Sequence, residues 1–444
     1  MHAMFRVFAL STALLAAAGC ATNVSTTTDE SEAPGTEGPS EEYGAESAAP
    51  NVAPPAGVGA IGSSAGRTIH VSTSGNDANS GTSTGAAVRT AGKALSLARA
   101  GDTILFAAGT YPPLTVQNKS GASGAPITLR ASGTVSFTSG SYDRSACILV
   151  KNAAHLVVDG FVAKRCLWGI LVEGARNVTI RRNLVQDIGQ EGIHVRLASE
   201  SVLIHRNRIH ALGKRGGEYV RWGEGIYIGY GADGGENDGT KNVVANGNEI
   251  WDTGSEAIDL KRGLRDIVAE YNDIHDIATN VRAIVNVNDH PTGKEQGYVV
   301  RGNVIRRGKG VRYDSDGVGI RIFGGGVDVY NNVVSSMQFA GIRNEAKSGS
   351  VRIWNNTVYQ GGTRGDIVDE TGIADVRNNI GSSKSGNIRA SSGLFVDAAG
   401  GDFRLSTGSA ARDKGVTLSL VSIDIVGNKR PSGGAYDLGA YEMP

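Results

Sequence analysis

The stretch Gly169-Ile170-Leu171-Val172-Glu173-Gly174-Ala175-Arg176-Asn177-Val178-Thr179-Ile180-Arg181-Arg182-Asn183 holds the two phrases from which most of this chain is built. The first phrase is a small residue, an isoleucine and another apolar residue two further on. It returns as Gly192-Ile193-His194-Val195, Gly225-Ile226-Tyr227-Ile228, Ala257-Ile258-Asp259-Leu260, Gly319-Ile320-Arg321-Ile322 and Gly341-Ile342-Arg343-Asn344, with Ala283-Ile284-Val285 a weaker member. The second phrase is a short alternating apolar run that ends in asparagine, at Asn183, Asn207, Asn248, Asn272, Asn303, Asn332 and Asn356. Successive asparagines lie 24, 41, 24, 31, 29 and 24 residues apart. A recurring short period with occasional insertions means short strands wound into a solenoid, each coil about 4.8 Å from the next. Like residues then stack in columns, with Ile and Val inside and the asparagines forming a structural ladder at a bend. Insertions after Ile209, after Ile228 and from Asp289 to Gln296 would wall one face of the solenoid, where binding is expected.

Composition agrees. With 63 glycines in 444 residues the chain favours turns and short strands over a helical bundle. The formal charge is zero, but Asn23 to Gly66 carries seven acids and no Lys or Arg, so the rest is mildly basic and suited to an acidic partner. Nucleic acid is a poor candidate, since the basic excess is small and the N-terminus reads as an export signal. Three cysteines are too few for a disulfide framework; Cys147 and Cys166 read as small core residues or as one disulfide.

Four segments follow in order. Residues 1–19 read as a signal peptide, with Arg6 before an apolar run too short to span a bilayer. Residues 20–66 are polar and small, a flexible tether. Residues 67–395 form the solenoid, opened by the alternating strand Thr68 to Thr73 and a helix from Ala91 to about Ala100 capped by Thr90. Residues 396–444 form a cap on its far end.

Candidate chemistry concentrates between Gly223 and Arg282. Aligned on the repeated isoleucine, Glu191, Glu224 and Glu256 share one column, with Arg282 taking the same slot ahead of Ile284. Stacked carboxylates repel unless cations sit among them, and oxygen ligands of this kind suit Ca²⁺ better than Zn²⁺. Asp259 and Lys261 face outward on their strand, with His194, Arg196, Tyr227, Arg321 and Arg343 on the same face. Strict alternation would turn Glu256 inward with Ile258; a corner just before the strand would release it. Without a corner the glutamates are buried scaffold; Lys261 read by itself is a surface lysine in a salt bridge with Asp259 or a stacked glutamate.

Several segments resemble known families. Leu14-Leu15-Ala16-Ala17-Ala18-Gly19-Cys20 resembles a bacterial lipobox, with Ala17 where Leu is usual. That resemblance implies acylation of Cys20 and, with Ala21 following it, an outer-membrane lipoprotein; a plain secreted protein is the alternative. The order of strand, Gly/Asn/Ser loop, short helix and Gly101-Asp102-Thr103-Ile104 resembles the entry segment of right-handed parallel β-helix proteins, an all-β fold with a short N-terminal capping helix. The ending from Asn428 to Glu442 resembles the segment that closes secreted β-helix proteins.

The site resembles the β-helix polysaccharide lyases of the chondroitinase B and alginate lyase group, in which a Glu precedes a catalytic Lys by five positions and an Arg follows by about one coil. The resemblance implies Lys261 as base, Arg282 as acid and Ca²⁺ held by Glu224 and Glu256, with Glu191 and Asp259 beside them. Two positions depart from the pattern: Gly254 stands where a second acid is usual, and Glu224 where an amide is. The expected partner is an acidic polysaccharide, met by a monomer. A glycoside hydrolase using Asp259, Asp314 and Asp316, and a non-catalytic glycan-binding solenoid, are the competing readings.

Overall fold

The computed structural model describes residues 58–59, 66–231, 238–279, 281, 283–289 and 296–444. Cys20, the expected signal and most of the expected tether lie outside the described residues, as does Arg282. No helix among the described residues is long and apolar enough to cross a membrane.

The described chain is a parallel β-helix. Ten parallel strands, among them Trp168–Glu173, Ile193–Arg196, Ile226–Ile228, Ile258–Lys261, Ala283–Asp289 and Val318–Ile322, stack into one sheet. A twenty-stranded sheet supplies the other two sides of each coil, with strand pairs such as Arg176–Arg181 and Leu184–Gln186 meeting at the asparagine bend. Ile170, Ile193, Ile226 and Ile258 are register partners and wholly buried. Burying each such side chain contributes on the order of 1.5–3 kcal/mol, so the interior columns are the main source of stability.

The bends are held by the asparagines. In every coil from Asn183 to Asn356 the backbone N–H and the side-chain amide of one asparagine both donate to Oδ1 of the next, at 2.8–3.0 Å. The same amide reaches back to a carbonyl of the preceding coil, as from Asn303 to Ala269. The residue before each ladder asparagine turns left-handed, as at Arg206, Tyr271 and Gly302. That conformation costs a non-glycine residue about 1–2 kcal/mol, which the paired amides offset. The ladder continues beyond Asn356 to Asn379 and Asn387.

The ends show how the coil is closed. Thr90 accepts from the Lys93 amide and starts a helix over Ala91–Leu97, shorter than expected because Ala98 is already extended. Ala94 and Ala98 are buried against the first coil. At the other end, residues 411–440 pack along the flank of the last coils, where Asn331, Asn355 and Asn378 donate to carbonyls of Ile423, Asp437 and Val416. Arg430 and Glu442 form a fully buried pair there at 2.7 Å.

One detail settles an open reading and another departs from expectation. Cys147 and Cys166 are bonded as a disulfide rather than free, because neighbouring coils bring residues 19 apart in sequence face to face. Val58, inside the expected tether, is buried against Leu203 and Val244. Those two point outward from their sheet and leave an apolar patch for it to cover.

Candidate functional site

The site lies on the outer face of the ten-stranded sheet. Register places His194, Tyr227, Asp259, Asn286, Arg321 and Arg343 in one outward column. Glu224 and Glu256 join this face. Ala257 and Ile258 both sit in the core, so alternation breaks at a corner just before the strand and Glu256 is released outward. Glu224, Glu256 and Asp259 then each offer a carboxylate oxygen within 4.8 Å of the others, all three buried. Lys261 curls back over its strand so that Nζ meets Asp259 Oδ2 at 2.6 Å and lies 4.9 Å from the Tyr227 ring centroid. Asn286 donates to the other Asp259 oxygen at 3.2 Å, and Ser255 Oγ donates to Glu256 at 2.6 Å.

Four acids here face one ammonium, and the electrostatics show it. Burial, then the charges of Glu191, Glu256 and Asp259, hold the Glu224 carboxyl well above its ordinary range. Burial and Asp259 push Glu256 up to about 8; burial pushes Glu191 up to about 7, against the pull of the Trp168 indole and Arg196. Burial alone would lower the Lys261 pKa, but Asp259, Tyr227 and Glu256 outweigh it and raise it, so the amine is held protonated. His194 donates from Nε2 to the Gly229 carbonyl at 2.9 Å; its Nδ1, without a hydrogen bond, lies 3.7 Å from Glu191. Burial drives its pKa down to about 3, so the ring is neutral.

The sign for stability follows. A carboxyl whose pKa is raised on folding favours the fold fully below its ordinary value near 4.5, and that contribution is lost as pH climbs through 7 to 8. The cation-free protein is therefore expected to melt at a lower temperature at pH 8 than at pH 5. A melting temperature that rises across that window would show that the carboxyls are not strained by ionisation.

The residues fit a hard divalent cation. Every donor at the cluster is oxygen, and Glu224 Oε2, Glu191 Oε2 and Asn286 Oδ1 are buried without a hydrogen-bond partner. Such a donor set suits Ca²⁺, and its charge would answer the excess of carboxylates. Glu224, Glu256 and Asp259 would hold the ion, with Asn286 and Glu191 alongside.

Other expected members are placed differently. The weaker repeat member is offset from the alignment on isoleucine: Val285 and not Ile284 pairs with Ile258, and the Ala257 amide donates to the Ile284 carbonyl; Arg282 itself lies outside the described residues. His194 is buried beneath the face and cannot touch a polymer directly. Arg321 is buried and bound to Glu345 at 2.8 Å, while Arg343 pairs with Glu345 and Glu370, so both cations are already answered. Arg196 binds Glu173 at 2.6 Å at the edge of the face. Asp316 is buried in its own loop, where it accepts from the Tyr313 amide. Sequence reasoning missed Asn286, Ser255 and Trp168. Trp168 was within reach of it, because it stands in the column of Glu191 one coil earlier.

The family model of the right handed beta helix region matches residues 114–229 and 147–358. None of the curated proteins matches the chain by sequence. Among solved structures, pectate lyase Pel9A is similar with a TM-score of 0.59 at 19% identity, over 87% of this chain and 98% of that one. An alginate lyase from Paenibacillus sp. str. FPU-7 is similar with a TM-score of 0.53 at 21% identity, over 70% and 99%. A rhamnogalacturonan lyase gives 0.56 at 17%, over 75% and 91%. At such identities the likeness is one of fold. The interior isoleucine columns, the parallel register and a matching span of more than half the chain lead to one conclusion: this chain belongs to the right-handed β-helix family.

Proposed function

We propose that this chain is a polysaccharide lyase that cleaves a uronic-acid-containing polysaccharide by β-elimination, assisted by Ca²⁺ and tethered to the outer membrane through an acylated Cys20. The observation that carries the reading is the meeting of three buried carboxylates with Lys261 on the outer face of the solenoid. A proton beside a carboxylate is weakly acidic, so catalysis needs that carboxylate neutralised and a base positioned at the carbon. A cation bound at Glu224, Glu256 and Asp259 would supply the neutralisation. Lys261 takes the C5 proton onto Nζ; the C–H electron pair becomes the C4–C5 double bond. The C4–O bond breaks onto the leaving oxygen, which takes a proton, the role the family resemblance gives to Arg282. Lys261 must first lose its own proton, and Asp259 restrains that step until its charge is engaged elsewhere.

The solved structures similar to the chain support the reading, since three of them are lyases by name. Incubating the purified protein with alginate, pectate, chondroitin and dermatan, with calcium or with chelator, tests it. One of the four is expected to yield ultraviolet-absorbing unsaturated ends in calcium only; products lacking unsaturation would make the protein a hydrolase. The Lys261–Asp259 pair favours a second reading, a non-catalytic glycan-binding solenoid in which the lysine is a fixed counterion.

A further inference from the structure

We propose that Trp168, Arg196 and Tyr230 form a second saccharide subsite, which binds the carboxylate-bearing ring next to the one held at the acid cluster. The inference rests on the lyase reading and adds a place for the neighbouring sugar. Continuing the pairings Val195–Ile228–Leu260 by one residue puts Arg196, Gly229 and Lys261 in one column. Arg196 is thus two coils from Lys261, roughly 9.6 Å by the spacing of strands. Gly229 lies between them with φ +95° and no side chain; a Cβ there would meet Lys261 Cβ at 2.9 Å. Gly229 is buried and keeps the backbone close against Lys261 there, with a basic side chain on either side of it.

Arg196 is built into its place. Its Nε and Nη2 both donate to Glu173 Oε1, at 2.9 and 2.6 Å, while Lys151 binds the other Glu173 oxygen at 3.0 Å. One carboxylate shared by two cations leaves the group with a net positive charge, which suits an anionic ligand. The guanidinium carbon lies 5.8 Å from the Trp168 ring centroid and 5.3 Å from that of Tyr230. Tyr230 is 42% exposed, so its ring is accessible to a ligand. A pyranose ring stacked on Tyr230 would bring its carboxylate to Arg196, where planar, charge-assisted hydrogen bonds are strongest. Trp168 also steadies Glu191 at the acid cluster, so the two subsites share a wall.

The test measures binding by calorimetry, in calcium, on Lys261→Arg, which keeps the ion pair with Asp259 but has no base. Probes are hexamers of galacturonate, of guluronate and mannuronate, and of chondroitin, each also in carboxyl-reduced form. Tyr230→Ala is expected to weaken binding of the bound hexamer at least about fivefold, while Tyr230→Phe holds it near the parent value. Arg196→Gln is expected to erase the preference for the acidic over the reduced form. If a hexamer binds the parent but Tyr230→Ala and Arg196→Gln bind it equally well, the subsite is wrong and the lyase reading stands. If no hexamer binds the parent, both are wrong.

Discussion

Replacing Lys261 with alanine is expected to cut formation of unsaturated ends by about 10²–10⁴-fold, the range for loss of a positioned base. The same change should act on the fold and on the ion in opposite directions. Without the ammonium, Asp259 is left buried beside two other acids, and the cation-free protein should melt at a lower temperature. The cluster then has no internal counterion, so calcium should bind at least about tenfold more tightly than to the wild type. Lys261→Arg separates the two roles. Arginine keeps the charge but does not surrender a proton near neutral pH, so stability should hold while activity is lost. If Lys261→Ala keeps the wild-type rate, the lysine is a counterion and nothing more.

The largest effect on stability is expected within the asparagine ladder. Asn303 gives its N–H and side-chain amide to Asn332, reaches the Ala269 carbonyl, and accepts two bonds from Asn272. Asn303→Ala keeps the backbone N–H to Asn332 but strands the Ala269 carbonyl and the two Asn272 donors in the dry bend at about 1–3 kcal/mol each, for a total on the order of 4–6 kcal/mol. Asn242→Ala, at an outer corner where the side chain meets only Ser201, should cost about 1 kcal/mol. Chemical denaturation of the two variants checks the contrast. Equal losses would mean that the ladder is not what holds the coils in register.

The ladder was legible in sequence because physics leaves few alternatives at a buried bend. A residue there must supply two donors and one acceptor to the coils above and below, and asparagine does so in a side chain short enough for the turn. Isoleucine at Ile193, Ile226 and Ile258 was legible for a similar reason, since period-2 burial admits β-branched residues on the inner face. The glutamate column was legible as spacing, yet its direction was not. Ala257 decides it, being small enough to enter the core beside Ile258 and so turn Glu256 outward. That Val285 rather than Ile284 pairs with Ile258 carries no local sequence signal, which is why Asn286 went unnoticed. Arg321 and Arg343 looked available for a ligand because Glu345 and Glu370, which neutralise them, come from strand ends and loops beyond the repeat.

The carboxylates of Glu224, Glu256 and Asp259 form either a cation site or a protonated scaffold, and the lyase chemistry needs the first. Melting the protein at pH 8 with and without millimolar calcium decides between them. Calcium is expected to raise the melting temperature of the wild type by several degrees, more at pH 8 than at pH 5, and to have no effect on Glu224→Gln/Glu256→Gln. A wild-type melting temperature indifferent to calcium at pH 8, or an equal rise in the double variant, would contradict it.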